Sequence, residues 1–169
     1  MLDETQIALK GVGRKFQKPS VFEALTVCEN LEIAIRLRPK SIVSELNSWD
    51  DFERANRVEK VLDEIGLTTD KHTPAATLAH GKKQWLEIGM LLMQQPKLLM
   101  LDEPVAGMTE EETSKTAALV RNLRSPERSI MVIEHNMTFV ETIADRVTVL
   151  HEGLPIFEGQ MADARADAQ

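Results

Sequence analysis

The apolar run Leu98-Leu99-Met100-Leu101 ends in Asp102-Glu103-Pro104 and so carries two carboxylates to the tip of a strand. Asp102 offers a hard oxygen ligand for Mg²⁺, directly or through water. Glu103 could orient and deprotonate an attacking water. Together they suit phosphoryl transfer, although taken alone they also read as two solvated acids entering a proline turn. Leu78-Ala79-His80-Gly81-Lys82 stands just before a second apolar stretch. It could set backbone N–H groups and a helix N-terminus against an anion, with Lys82 and Lys83 adding positive charge. By itself it is a Gly-containing loop entering a helix. His135 follows the run Ile130-Met131-Val132-Ile133-Glu134 and could hydrogen-bond a terminal phosphate, but a lone histidine is as readily structural. Gln17, in Lys15-Phe16-Gln17-Lys18-Pro19, says nothing in isolation.

The elements that must position these groups can be read from spacing. Residues 1–25 read as mostly irregular, with Gly11 and Gly13 as breakers and Pro19 excluding a helix there. Thr26 and Glu29 form a capping box, after which Val27, Leu31, Ala34 and Ile35 share a helical face. Val58, Val61, Leu62 and Ile65 predict a second helix, closed by a left-handed cap at Gly66, with a loop over 39–50 between the two. Lys83 to Gln94 is apolar nearly all round and predicts a buried helix. Thr109 and Glu112 form another capping box and open a helix to about Arg124. A short helix near 138–144, a strand at 147–150, a turn at Gly153 and a last strand near 156–157 complete the chain. Strands apolar on both faces and separated by helices predict a parallel sheet covered on both sides, with ligands beyond the carboxyl ends of the strands.

Composition narrows the class. The 169 residues carry 20 Lys+Arg against 27 Asp+Glu, a net charge of −7, which disfavours coating a nucleic-acid backbone. With 43% apolar residues the chain can bury a core, so general disorder is not expected. The single cysteine, Cys28, excludes an internal disulfide framework and a Cys-rich zinc site, and fits a reducing compartment. No apolar run reaches membrane-spanning length, since Ile88 to Leu101 is broken by Gln94, Gln95, Pro96 and Lys97. The N-terminus is acidic where a secretory signal would be basic.

Taken in order, a Gln loop, a helical stretch, a Gly loop at a helix start, strand-Asp-Glu-Pro and strand-His form a specific series. The chain resembles an ATP-binding cassette (ABC) ATPase from the Q-loop onward. The resemblance implies an α/β, partial P-loop NTPase with a mostly parallel sheet core and an inserted helical subdomain. That subdomain would span 18–80, and 81–169 would hold the rest of the catalytic core. By this resemblance Gln17 is the Q-loop glutamine and Leu78, Ala79, His80, Gly81 and Lys82 form the signature loop. Asp102 and Glu103 close Walker B, Ala106, Gly107, Met108 and Thr109 form the D-loop, and His135 is the switch histidine. It further implies ATP and Mg²⁺, with Asp102 and Gln17 at the metal, Glu103 polarising water, and His135 holding that water and the γ-phosphate. Glu103 and His135 are expected to converge with Asp102 on one triphosphate.

The segments 13–19, 81–90 and 102–109 are similar to the ATPase subunits of bacterial urea uptake systems, which are relatives of branched-chain amino acid importers. Implied partners are a second ABC subunit (homo- or heterodimer), integral membrane permease subunits and, indirectly, a substrate-binding protein, with no nucleic acid. The implied location is cytoplasmic, peripheral on the inner face of the membrane. Rival readings are a soluble ABC protein unlinked to transport and a non-catalytic permease-binding fragment. There are departures. No G-x-x-x-x-G-K-[ST] occurs, so the expectation is a cassette truncated at its start and slightly at its end. Such a chain is expected to be inactive alone and to show a bare sheet edge. Ala79 replaces the usual signature serine, His80 and Lys82 replace glycine and glutamine, and Thr109 stands where aspartate is frequent.

Overall fold

Three strands pair in parallel because the central one is apolar enough to be covered from both neighbours. The computed structural model describes residues 3–15, 20–36 and 51–163. β1 (Val12–Lys15) pairs with β2 (Leu98–Asp102), and β2 pairs with β3 (Ser129–Ile133), in the order β1-β2-β3. Lys15 stands opposite Leu101, and Asp102 opposite Ile133. Leu99 and Leu101 are buried.

The first residues are more regular than their sequence suggests. Asp3 accepts the Gln6 N–H at 2.7 Å, and the Gln6 side chain accepts the Asp3 N–H at 3.2 Å, which caps α1 (Glu4–Leu9). Gly11, at φ +85°, then turns the chain into β1. The expectation of an irregular start over 1–25 is thus corrected. Val-Gly-Arg-Lys has no apolar run to announce a strand, and it is one because β2 supplies its ladder. Covering of the sheet is also only partial. Met131 and Ile133 on β3 are 50% and 48% exposed, and β3 is an outer strand among the described residues.

The helical region follows its spacing closely. α2 (Val27–Arg36) opens on the expected box, with Thr26 N–H donating to Glu29 Oε2 at 2.8 Å and Glu29 N–H to Thr26 Oγ1 at 3.3 Å. Val27, Leu31 and Ala34 are buried on it. α3 (Asp51–Glu64) buries Val58, Val61 and Leu62, and Gly66 follows at φ +68°. The loop expected over 39–50 lies outside the described residues. α4 (His80–Met93) begins three residues before Lys83 and packs on α2, α3 and β1. Gly89 is the point of closest approach, since a Cβ there would lie 2.6 Å from Ile65 Cδ1 and 3.1 Å from Leu31 Cδ2.

α5 (Glu110–Asn122) precedes β3 and completes the first of two structural units, which ends at Ile133. The second begins at Glu134 and contains α6 (Met137–Ile143) and an antiparallel hairpin of β4 (Val147–His151) and β5 (Leu154–Gly159), turned at Gly153 with φ +81°.

Gly89→Ala is expected to lower folding stability by about 1–3 kcal/mol, because Ile65 and Leu31 must both give way. Urea unfolding checks this, and an unchanged midpoint would show that the crossing is looser than described.

Candidate functional site

The tip of β2 is built from strand pairing. Asp102 is its last residue, and Glu103 follows at φ +45°, a left-handed conformation that costs a non-glycine residue on the order of 1 kcal/mol. Two backbone bonds hold it there. Glu103 N–H donates to the Ile133 carbonyl at 2.9 Å, and Ala106 N–H donates to the Glu103 carbonyl at 3.2 Å. The turn therefore sets two adjacent carboxyls at the carboxyl end of the sheet. Arg14, on β1, donates to Asp102 Oδ2 at 3.4 Å, so the neighbouring strand supplies a counter-charge. Among the described residues no group of three or more His, Cys, Asp or Glu side chains is arranged to hold a metal. Two acids alone fit Mg²⁺, which takes one or two carboxylates and keeps several waters. Of the described residues, Asp102 could hold it beside Glu103, while Gln17 lies outside them.

The start of α4 is suited to an anion. Ala79 is its N-cap and makes no side-chain cap bond, and the first turn has no acidic residue. Backbone donors at a helix N-terminus favour a phosphate or carboxylate, and the Glu112 carboxylate already lies close to the Gly81 end of this one. The two lysines expected to add charge are already paired. Lys82 Nζ lies 2.9 and 2.8 Å from the oxygens of Asp70, and Lys83 Nζ lies 2.8 Å from Glu23. The Lys83 contact holds the Glu23 carboxyl below its ordinary pKa.

The structure brings this loop against residues 106–109. His80 Nε2 lies 3.2 Å from the Ala106 carbonyl, and Gly107 turns at φ +72° beneath the ring. Thr109 caps α5 through the predicted box: Glu112 N–H donates to Thr109 Oγ1 at 3.2 Å, and Thr109 N–H donates to Glu112 Oε2 at 3.0 Å. These bonds hold the Glu112 carboxyl below its ordinary pKa, the Thr109 amide first and the Gly81 amide adding to it.

Gln17 lies outside the described residues. On either side of it, Lys15 and Ser20 both face Glu87 on α4. Ser20 N–H donates to Glu87 Oε1 at 3.2 Å, and the buried Lys15 Nζ stands 3.9 Å from Oε2. Burial raises the Glu87 pKa, with Lys15 and the Ser20 amide opposing. His135 belongs to the second unit, where its side chain is 80% exposed. Its backbone is fixed by Glu134, whose Oε2 accepts from His135 N–H at 2.9 Å and Asn136 N–H at 3.1 Å. Arg14, Glu87 and Glu134 escaped the sequence reading because each acts through a partner distant in the chain or through backbone geometry. Glu112 was visible only as a cap.

A family model described as ABC transporter matches residues 2–106. The chain belongs to the ABC transporter family. BraF of Pseudomonas aeruginosa, a high-affinity branched-chain amino acid transport ATP-binding protein, is 37% identical over 161 residues, covering 91% of this chain and 63% of BraF. LivG of Escherichia coli K12, described in the same words, is 38% identical with the same coverage, 91% and 63%. The D-allose import ATP-binding protein AlsA of Escherichia coli K12 is 32% identical over 166 residues, covering 98% of this chain and 32% of AlsA.

Among solved structures, the ADP conformation of MJ1267, an ATP-binding cassette of an ABC transporter, superposes with TM-score 0.77 at 26% identity, covering 96% of this chain and 65% of that one. The cbiO1 component from Clostridium perfringens gives TM-score 0.82 at 24% identity, covering 98% and 64%, and speaks for the fold. The ABC chain described here thus has the α/β cassette fold and spans just under two thirds of the length of BraF and LivG, 63% in each case.

Glu87 gives a pH test. Its pKa is higher in the folded chain than the ordinary 4.5, so the folded state holds the proton more tightly just above that value. Stability contributed by the protonated form is present below pH 4.5 and is lost as pH rises through the raised folded pKa. Glu87→Gln is expected to flatten that descent, read as urea midpoints from mildly acidic pH to neutrality. An identical descent in the variant would assign it to another group.

Proposed function

We propose that this chain is the larger part of the ATP-hydrolysing subunit of a bacterial ABC importer of the branched-chain amino acid type. The observation that carries the reading is the tip of β2, where a strand ends on Asp102 and strained backbone presents Glu103 immediately beyond it. A left-handed glutamate costs stability, and a carboxylate used as a general base is a reason to keep it.

In this reading Asp102 and Gln17 would hold Mg²⁺, which when bound neutralises charge on the transferred phosphoryl group. Glu103 accepts the proton of the attacking water, and His135 holds that water and the γ-phosphate. The loop Leu78–Lys82 of one subunit completes the site of a second, offering its helix N-terminus to the phosphate. Because Ala79 has no hydroxyl, recognition there rests on backbone N–H groups. Residues 106–109 carry the state of one site to the other. The helical region 18–80 docks on integral membrane permease subunits and couples closure of the pair to transport. A substrate-binding protein delivers solute on the far side, and the subunit sits in the cytoplasm at the inner face of the membrane. Urea is the finer assignment of the solute, supported by the segments 13–19, 81–90 and 102–109. The names of BraF and LivG support branched-chain amino acids, the broader class.

In the full-length protein, Glu103→Gln is expected to slow Mg²⁺-dependent ATP hydrolysis by about 100-fold or more and to leave an ATP-bound dimer on gel filtration. Hydrolysis at the parent rate would remove Glu103 from the role of base. The 169 residues contain no G-x-x-x-x-G-K-[ST], so this chain alone is expected to show no saturable Mg²⁺-ATP binding in equilibrium dialysis.

A further inference from the structure

The turn at 79–81 and the loop at 106–109 are joined within one subunit by three side-chain links that lie in register along α4 and α5. The first is Glu112. Its Oε2 accepts from the Thr109 N–H and hydroxyl, both at 3.0 Å, while Oε1 lies close against Gly81 at the start of α4. A Cβ at position 81 would lie 2.7 Å from Glu112 Oε1, so the close approach requires glycine there.

The second link is His80. A carbonyl oxygen can only accept, so the ring carries its proton on Nε2 where it meets Ala106 at 3.2 Å. Gln84, buried one turn further on, packs beside the ring with its side-chain amide nitrogen 3.3 Å from the same Nε2; both groups are donors, so the Ala106 carbonyl is what the His80 proton bonds. The third link is Trp85, whose Nε1–H donates to Thr116 Oγ1 at 2.9 Å. Thr116 in turn donates to the Glu112 carbonyl at 2.8 Å. The ends of the two helices are therefore bonded both at the loops and one turn behind them.

We propose that Glu112 and His80 are positioning residues that fasten the 79–81 turn to the 106–109 loop of the same subunit, so that both loops face a second cassette as one rigid surface. The second cassette rests on the proposed function, whereas the fastening rests on the contacts alone. A capping box needs only Thr109 and Glu112. The close approach of Glu112 to Gly81 and the His80 bridge lie outside that box, and both join the same two loops.

Amide hydrogen exchange in the full-length protein without nucleotide tests this, read on peptides covering 78–82 and 106–112. Glu112→Ala is expected to speed exchange about 10-fold in both, as loss of a charge-assisted bond implies. Glu112→Gln keeps an acceptor oxygen and is expected to restore near-parental exchange. His80→Phe, at an exposed position, is expected to speed exchange over 106–108. Thr109→Ala weakens the cap and is expected to affect 109–112 while leaving 78–82 at the parent rate. Unchanged exchange over 78–82 in Glu112→Ala, or equal loosening there in Thr109→Ala, would overturn the proposal. Because no nucleotide is present, this outcome is independent of the Glu103→Gln rates, which decide separately whether the protein is an ATPase.

Discussion

Parallel pairing of β2 with both neighbours is the constraint on which the rest of the first unit depends. Register fixes where each strand stops, and Lys15, Asp102 and Ile133 all end at the same edge of the sheet. The Ile133 carbonyl, left at that edge, accepts the Glu103 amide and holds the left-handed turn. A one-residue slip would send Asp102 to the opposite face and withdraw the bond that keeps Glu103 in place. The acid pair is thus a consequence of the ladder as much as of the residues that carry it.

α4 is the second organising element. One face packs on α2 and α3 through Gly89, where small size permits a close crossing. Another presents Glu87 to Lys15 and Ser20, on both sides of the glutamine segment, and its first turn meets the 106–109 loop through His80 and Gly81. A single rigid helix therefore touches the helical region, the sheet and two loops. The all-round apolar pattern that marks it as buried reflects this many-sided packing.

The sequence was most readable where interactions are local. Both capping boxes, at Thr26 and Thr109, stand where a three-residue spacing put them, and Gly66 ends its helix with the expected positive φ. It was least readable where a distant partner decides the outcome. β1 has no apolar signal and exists because β2 pairs with it, and Lys82 reads as a free cation until Asp70 is placed beside it. Of the candidate site, the two acids and the segments 78–82 and 106–109 could be followed into three dimensions, while the contact between those segments emerged only there. Their order along the chain, more than any one of them, suggested a cassette.

The Arg14–Asp102 contact gives the site a resident counter-ion. Asp102 is therefore not a bare carboxylate, and a cation held there would have to compete with the guanidinium already 3.4 Å from its Oδ2. Half-exposed Arg14 on the neighbouring strand screens part of the carboxylate's charge at the strand edge.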